Sequence, residues 1–260
     1  MLFICCVTLL SVLFLYYHYQ KHYRSSSSSP IQKIKNTPSE TVLLFWTGGF
    51  DSTFRLCTLL MEQKKIVQPI YISSTIDNLA DSTVRRRNQK QELQSMTKIT
   101  TLLTSLFPDT RSLLRPLIVI DTPVVYDSEI STAMWTLFKR GDLRRPVCQY
   151  GALAQISLLS DRTIEIAVEK DEHHSAMYRT IASFLNGDLQ LDSTKIKQLP
   201  ALSIFRKLCF STITLTKSEM VERSKRGGYA EILKQTWSCW YPVSDRPCGR
   251  CIMCKDRVVV

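Results

Sequence analysis

Short apolar segments alternate with longer segments of helical spacing from residue 40 onward, and this alternation constrains the fold more than any other feature. The predicted strands are Thr41–Trp46, Ile66–Ile72, Pro116–Asp121 and Thr163–Val168. The predicted helices are Ser52–Lys65, Val84–Leu106, Ser128–Lys139, Gln149–Leu159, Ser175–Asn186, one from Thr216 to the glycines at 227–228, and Tyr229–Gln235. Strands separated by helices are typical of α/β proteins. The pattern therefore predicts a doubly wound, mostly parallel sheet over residues 40–228.

The first 24 residues have a different composition from the rest of the chain. Leu2–Tyr19 carries no charged side chain and would span roughly 27 Å as a helix, enough to cross the hydrocarbon core of a bilayer. Lys21 and Arg24 follow it, and basic flanks face the cytosol. We therefore expect a membrane anchor within residues 1–24, a flexible linker over residues 25–39 and a cytosolic catalytic region. A cleaved signal peptide is the alternative, although no basic residue precedes the apolar segment.

Two adjacent glycines, Gly48 and Gly49, follow the first predicted strand and precede a predicted helix. Glycines let backbone N–H groups approach a phosphate closely, and a helix N-terminus favours its negative charge. Asp51 can hold Mg²⁺ beside the phosphates and Ser52 can donate a hydrogen bond to them, so both are candidate catalytic residues. The candidate nucleotide-binding residues are Trp46, Thr47, Gly48, Gly49, Phe50, Asp51, Ser52, Thr53, Phe54, Arg55 and Leu56. The spacing is not that of a Walker A loop. A plain strand-to-helix turn capped by Asp51 is the structural alternative.

Four of the nine cysteines lie within the last 22 residues: Cys239, Cys248, Cys251 and Cys254. The two-residue gaps let successive thiolates converge on one ion, and four thiolates satisfy tetrahedral Zn²⁺ without a position for water. A reducing cytosol would favour metal binding over disulfides. We therefore predict a structural zinc knuckle within residues 229–260. An iron–sulfur cluster is the alternative.

Both motifs resemble those of one enzyme superfamily. The sequence T-G-G-F-D-S at 47–52 resembles the SGGxDS signature of the PP-loop ATP pyrophosphatases, whose fold is the adenine nucleotide alpha hydrolase-like α/β sheet. The sequence T-W-S-C at 236–239, followed by C-G-R-C-I-M-C at 248–254, resembles the C-terminus of the 7-cyano-7-deazaguanine synthases. L-T-K-S-E-M-V at 215–221 also resembles a segment of those enzymes.

This resemblance implies an ATP-dependent ligase of queuosine biosynthesis. Such enzymes activate the carboxylate of 7-carboxy-7-deazaguanine with ATP and Mg²⁺, convert it to an amide with ammonia, and dehydrate the amide to the nitrile. The implied partners are therefore ATP, a deazapurine carboxylate and ammonia. Asp51 would hold the Mg²⁺, while the zinc knuckle would support the substrate side without taking part in the chemistry.

Three segments differ from the synthase pattern: residues 73–79, 145–150 and 165–174. Substrate contacts of the family lie in these segments, so the ATP half is retained and the purine half is altered. Several further side chains can be interpreted either as ligand contacts or as solvated or packed surface. They are Arg85, Arg86, Arg87, Arg144, Arg145, His173, His174, Trp240 and Tyr241.

The formal net charge of +11 favours anionic partners, which include both nucleotides and nucleic acid. A PP-loop enzyme that modifies tRNA is therefore an alternative function. We do not expect nucleic acid as a partner, because the chain has no appended RNA-binding domain and no cysteine pair near the glycines. A third hypothesis is a diverged zinc module that binds nucleotide or adenylates another carboxylate. A homodimer is compatible with each of the three.

Overall fold

The computed structural model describes residues 29–73, 88–121, 126–143, 149–171 and 175–256. The predicted membrane anchor within residues 1–24 lies outside these ranges. Within them, no helix combines the length and the apolar character that a bilayer span requires.

Five parallel strands form one sheet in the order β3-β2-β1-β4-β5. The strands are β1 (Val42–Phe45), β2 (Val67–Ile72), β3 (Ile118–Ile120), β4 (Ile164–Ile166) and β5 (Leu208–Phe210). The helices are α1 (Pro30–Lys35), α2 (Phe50–Cys57), α3 (Gln89–Leu106), α4 (Thr110–Leu113), α5 (Ser128–Lys139), α6 (Gln149–Ser160), α7 (Ala176–Ile181), α8 (Lys217–Arg226), α9 (Ala230–Leu233) and α10 (Ile252–Lys255). The predicted α/β class with a parallel sheet is confirmed.

Helices cover both faces of this sheet, as the side chains of β1 show. Leu43 and Phe45 belong to one buried cluster, which includes residues of α1, α5 and α6. Leu44 belongs to a second buried cluster, which includes residues of α2, α3, α8 and α9. Alternate residues of a strand point to opposite faces, so a strand buried on both sides is apolar at every position. This explains why β1 could be recognised as a continuous apolar segment.

Helix α1 contradicts the prediction of a flexible linker over residues 25–39 for its described part. Ser29 caps the helix by accepting a hydrogen bond from the Gln32 amide at 3.2 Å, and Pro30 occupies the first helical turn. Ile31 and Ile34, three residues apart, are buried against the sheet. The serine-rich composition concealed a capped helix whose two isoleucines provide enough apolar contact to hold it in place.

The remaining differences concern element ends and one missed strand. Helix α2 begins at Phe50 and continues as a π-helical turn over Thr58–Glu62, whereas the predicted helix covered Ser52–Lys65. The described part of the predicted helix Val84–Leu106 begins at Gln89. The fifth strand was not predicted. By contrast, α8 begins directly after its N-cap Thr216, where the predicted helix begins, and it ends before Gly227 and Gly228, as expected.

Candidate functional site

The order of the strands indicates where a ligand would be expected to bind. Strand β1 lies between β2 and β4, so the chain moves outward from β1 in one direction through β2 and β3, and later in the other through β4 and β5. In open α/β sheets, ligands bind at the carboxyl ends of the strands where the order reverses. The glycine turn follows β1 at this edge, and Glu169 lies just beyond β4 at the same edge. The strand order therefore indicates a candidate ligand site at the carboxyl ends of β1 and β4.

Backbone geometry explains why this turn contains glycine. Gly48 has a φ of +70°, a conformation that residues with a side chain rarely adopt. A Cβ atom at this position would also lie 3.0 Å from Cγ of Met96 and 3.1 Å from the carbonyl oxygen of Glu92, so α3 leaves no room for it. Gly49 is the N-cap residue of α2, and no side chain caps that helix end. The first amide groups of α2 are therefore not satisfied by a capping side chain.

Hydroxyl groups line the outer side of the turn. Oγ1 of Thr47 and Oγ of Ser52 lie 3.4 Å apart, and the Ser52 hydroxyl also donates to the Gly49 carbonyl oxygen at 3.3 Å. Both contacts are long. Thr47 is half-buried, whereas Ser52 is 8 % exposed and therefore less accessible than Thr47. Thr53 differs, since it is fully buried and its hydroxyl accepts a 3.0 Å hydrogen bond from the Trp46 indole. Thr47 and Ser52 are thus the hydroxyl groups placed to meet a ligand.

The remaining predicted nucleotide-binding residues have structural contacts. The side chains of Phe54 and Leu56 are buried in the core, while Phe50 packs against the same cluster and is half-buried. Arg55 donates two hydrogen bonds to the Glu165 carboxylate on β4, at 2.6 and 2.9 Å. These side chains fix α2 on the sheet, so the part of the segment that faces the crevice is its beginning, from Thr47 to Ser52.

Asp51 lies at the centre of a charged cluster at this edge. Its Oδ1 atom is buried and has no hydrogen-bond partner among the described residues. Lys217, the first residue of α8, pairs with Glu169 at 2.9 Å, and both side chains are mostly buried. Burial of the carboxyl group, reinforced by the charge of Glu169 and opposed by that of Lys217, raises the pKa of Asp51 to about 7. A buried carboxylate oxygen without a partner is suited to accept a cation.

The ammonium group of Lys217 belongs to the same cluster. Burial alone would lower its pKa, but the carboxylates of Asp51 and Glu169 more than offset this, so the pKa of Lys217 is raised. The charge of Asp256, in the last described segment, acts in the same direction. Lys217 therefore keeps its positive charge at the mouth of the glycine turn, where an anionic ligand would need it. Lys217 and Glu169 were not predicted as site residues, although Lys217 is the first residue of α8 and Glu169 lies three residues after β4.

The four predicted metal ligands come together. The sulfur atoms of Cys239, Cys248, Cys251 and Cys254 all lie within 4.8 Å of one another. Three of the separations are 3.5, 3.9 and 4.0 Å. Tetrahedral coordination with Zn–S bonds of about 2.3 Å places the sulfurs roughly 3.8 Å apart. The cluster can therefore hold one ion such as zinc, and it is too compact to enclose several irons and sulfides.

Backbone amides donate hydrogen bonds to two of the four sulfur atoms. The amide of Cys251 donates to the sulfur of Cys248 at 3.3 Å, and the amide of Cys248 donates to the sulfur of Cys239 at 3.2 Å. Hydrogen bonds from the amides of Arg250 and Cys251 lower the pKa of Cys248 to about 6. Burial and the neighbouring cysteines raise the pKa of Cys254 to about 12. Without a cation, four adjacent thiols do not ionise together, whereas a bound metal would keep all four as thiolates.

The chain leading to the cysteines contacts the glycine turn directly. The Trp237 amide donates to the carbonyl oxygen of Gly48 at 3.0 Å. Ser95 of α3 donates to the Gly48 carbonyl at 3.3 Å and to the Gln235 carbonyl at 2.6 Å, which holds the two segments together. Two motifs almost 200 residues apart in sequence are therefore neighbours in the fold.

Several predicted ligand contacts lie outside the described residues. They are Arg85, Arg86, Arg87, Arg144, Arg145, His173 and His174. Trp240 and Tyr241 are described, and the two residues are 43 % and 40 % exposed. Neither residue is fully packed on the cysteine cluster.

Comparison with known proteins adds no family to these observations. The chain matches no protein-family model and no curated protein sequence. The resemblance to the deazaguanine synthases therefore depends on the two motifs, on the segment 215–221 and on their arrangement.

Proposed function

We propose that this protein is an ATP-dependent ligase of the PP-loop type that adenylates a carboxylate, with 7-carboxy-7-deazaguanine as the first substrate to test. Ammonia is the proposed acceptor of the activated carboxylate, and 7-cyano-7-deazaguanine is the proposed final product. The proposed fold is accordingly the adenine nucleotide alpha hydrolase-like form of the parallel sheet.

One observation supports this proposal above the others. The glycine turn, the unpartnered oxygen of Asp51 and the cation of Lys217 all lie at the carboxyl edge of the sheet, where the strand order reverses. Glycine amides and a lysine ammonium group stabilise phosphate, whereas a free carboxylate oxygen suits the metal that accompanies it. This combination fits a metal–nucleotide complex better than it fits an uncharged ligand.

The proposed reaction begins at the α-phosphorus of ATP. A carboxylate oxygen of the substrate attacks this phosphorus, the bond to the bridging oxygen breaks, and pyrophosphate leaves with the electron pair. Ammonia then attacks the acyl carbon, AMP leaves, and a proton passes to solvent, which gives the amide. A second ATP activates the amide oxygen in the same way, and loss of AMP and two protons gives the nitrile.

The residues of the chain would hold the reactants in line for these steps. The amides at the start of α2, with the hydroxyls of Thr47 and Ser52, would bind the phosphates that leave as pyrophosphate. Lys217, fixed by its ion pair with Glu169, would offset the charge that develops there. Asp51 would hold Mg²⁺, which supplies positive charge to the departing phosphates.

The cysteine cluster would have a structural role and would take no part in the chemistry. Four thiolates leave a zinc ion without an open site, so a structural role follows from the ligand set. Its neighbour Trp237 contacts the glycine turn, and the knuckle would therefore form one wall of the substrate side. This arrangement supports the assignment of the adjacent space to the carboxylate substrate.

Incubation of the full chain with ATP, Mg²⁺, ammonia and 7-carboxy-7-deazaguanine tests the proposal. We expect AMP and pyrophosphate, together with the amide and the nitrile in the mass spectrum. Asp51→Asn should lower the rate by about a hundredfold or more, because removal of one stabilising group from a preorganised site has effects of this size. Asp109→Asn, also at a helix start but away from the crevice, should leave the rate unchanged.

The products distinguish the alternatives. ADP and phosphate would contradict the PP-loop mechanism altogether. AMP release that requires another carboxylate would keep the mechanism and change the substrate. AMP release that requires tRNA would favour the tRNA-modifying alternative, and nucleotide binding without any product would favour a binding module.

A further inference from the structure

A cavity of about 420 Å³ opens at the other end of the sheet, where strands β2 and β3 begin. Lys33 of α1, Gln68 of β2 and Arg115 in the segment before β3 line it. Because β1, β2 and β3 are parallel, this cavity and the glycine turn lie at opposite edges. Its volume falls within the range of small-molecule sites in proteins.

The polar lining of the cavity is cationic. Lys33 and Arg115 contribute two positive charges, and no acidic residue lines the cavity. The Nε atom of Arg115 is buried and has no hydrogen-bond partner among the described residues. A buried donor without an acceptor is uncommon and costs free energy, so a rotation of the Arg115 side chain that gave Nε an acceptor would be favourable.

The walls of the cavity are held in place by hydrogen bonds. The amide of Arg115 donates to the Val67 carbonyl at 2.9 Å, which fixes the backbone beside β2. The Gln68 side chain donates to the carbonyl of Pro116 at 2.6 Å. On the opposite wall, Arg162 donates to the carbonyl of Thr37 and so ties the end of α1 to the chain before β4. The backbone segments around the cavity are therefore tied to one another in the unliganded chain.

We propose that this cavity binds a phosphate group carried on a small organic body. The planar guanidinium of Arg115 matches phosphate oxygens, and the Lys33 ammonium provides a second charge. Pro30, Pro38 and Leu117 supply an apolar surface for the rest of the ligand. A soluble phosphate monoester and the headgroup of an anionic phospholipid share this chemistry, and experiment can separate them.

Calorimetric titration of the full chain with glycerol phosphate tests the site. We expect saturable binding that Arg115→Gln weakens about tenfold or more, the size of effect that a charged hydrogen bond produces. Lys33→Gln should weaken binding several-fold, and because Lys33 is exposed its loss should not affect folding. Lys35→Gln removes the same charge from the same helix outside the cavity, and it should change the affinity less than about twofold. Asp51→Asn should also leave the affinity unchanged, which separates this site from the glycine turn.

Sedimentation with vesicles identifies the source of the phosphate. Anionic phosphatidic acid vesicles that retain the wild type but not Arg115→Gln would assign the cavity to a lipid headgroup. Glycerol phosphate binding without vesicle binding would assign it to a soluble monoester. Two results would overturn the proposal: no binding of either probe, or equal weakening by Lys33→Gln and Lys35→Gln with no effect of Arg115→Gln.

Discussion

The sheet with its helices and the cysteine segment of residues 239–256 are stabilised in different ways. Both faces of the sheet are covered by apolar clusters, and many of their side chains are completely inaccessible to solvent. In the cysteine segment Cys239 is buried, but Trp240, Tyr241 and Val243 remain 43 %, 40 % and 58 % exposed. Its helix α10 has only four residues and buries none of them. The sheet has an apolar core of its own, whereas the cysteine segment has no such core and is tied to α3 by hydrogen bonds from Lys90 and Gln91 to Asp245.

The cysteine segment can hold a fixed shape without an apolar core if a bound metal stabilises it. Apolar burial stabilises a fold in proportion to the area removed from water, and a segment of this size removes little. A metal ion replaces that contribution, because its binding free energy is available only to the folded arrangement of ligands. The two regions should therefore respond to different perturbations.

Metal removal should have the largest effect, and it should be confined to one region. Structural zinc sites contribute about 10–16 kcal/mol in small peptides, so a strong chelator should unfold residues 239–256 while the sheet persists. Hydrogen exchange measured by mass spectrometry should show protection lost in this segment and kept in β1 and β2. Elemental analysis should find one zinc per chain.

Cys251→Ser should reproduce the effect of the chelator, and Cys209→Ser, at a cysteine outside the cluster, should not. Iron and sulfide in the purified protein would contradict the zinc assignment. An unchanged exchange pattern after complete metal removal would show that the segment is stabilised by packing after all.

Leu44→Ala should destabilise the sheet, in contrast to metal removal, which should affect the cysteine segment. Leu44 is fully buried in β1, and removal of such a side chain costs about 2–5 kcal/mol through lost apolar contact and the cavity that remains. Denaturant unfolding followed by circular dichroism should report this loss. Val243→Ala removes an apolar side chain of similar kind from the exposed cysteine segment and should change the free energy of unfolding by less than about 0.5 kcal/mol. Similar losses in the two variants would remove the proposed distinction between the regions.

The pH dependence of the free energy of unfolding should reveal one destabilising carboxylate, that of Asp51, within the well-packed region. Because the pKa of Asp51 is raised from its ordinary value to about 7, its ionisation is harder in the folded chain than in the unfolded chain. The contribution of Asp51 to the free energy of unfolding should therefore be largest below the unfolded pKa of about 4 and fall as the pH rises towards 7, by about 1.4 kcal/mol for each unit. Asp51→Asn should remove this part of the fall. If the free energies of unfolding of the wild type and of Asp51→Asn changed in parallel between pH 4 and 7, the pKa of Asp51 would not be raised in the folded chain.

The capping box of α8 should give the smallest of these effects. Thr216 accepts a hydrogen bond from the Glu219 amide, and the Glu219 side chain accepts one from the Thr216 amide. Thr216→Ala should lower the free energy of unfolding by about 1 kcal/mol. Thr101→Ala, on the exposed side of α3, removes a hydroxyl within a helix and should be neutral or slightly stabilising. A larger loss for Thr101→Ala than for Thr216→Ala would contradict the role of the cap.

Features that depend on local sequence were predicted best. Helix α5 has the predicted bounds, Ser128–Lys139, because Asp127 caps its start and apolar residues recur at helical spacing. The glycine turn was found because two glycines after an apolar strand are a strong local signal. The four cysteines were grouped correctly because the spacing of thiolates is itself a property of the chain.

Features that depend on distant contacts were missed. Strand β5 is a strand because β4 lies beside it. The ion pair of Glu169 and Lys217 joins residues 48 positions apart, so nothing in either local sequence indicates it. Helix α1 was concealed by its polar surroundings, because only the sheet beneath it shows that Ile31 and Ile34 have a surface to cover.

The hydrogen bond from the Trp237 amide to the Gly48 carbonyl has a thermodynamic consequence. If a metal orders the cysteine segment and thereby holds this bond, it also restricts the glycine turn to one conformation. Any ligand of the turn then gains affinity, and reciprocity requires that the same ligand tightens metal binding by the same factor. Removal of the metal would in this way weaken binding at the crevice, although the metal itself does not contact the ligand.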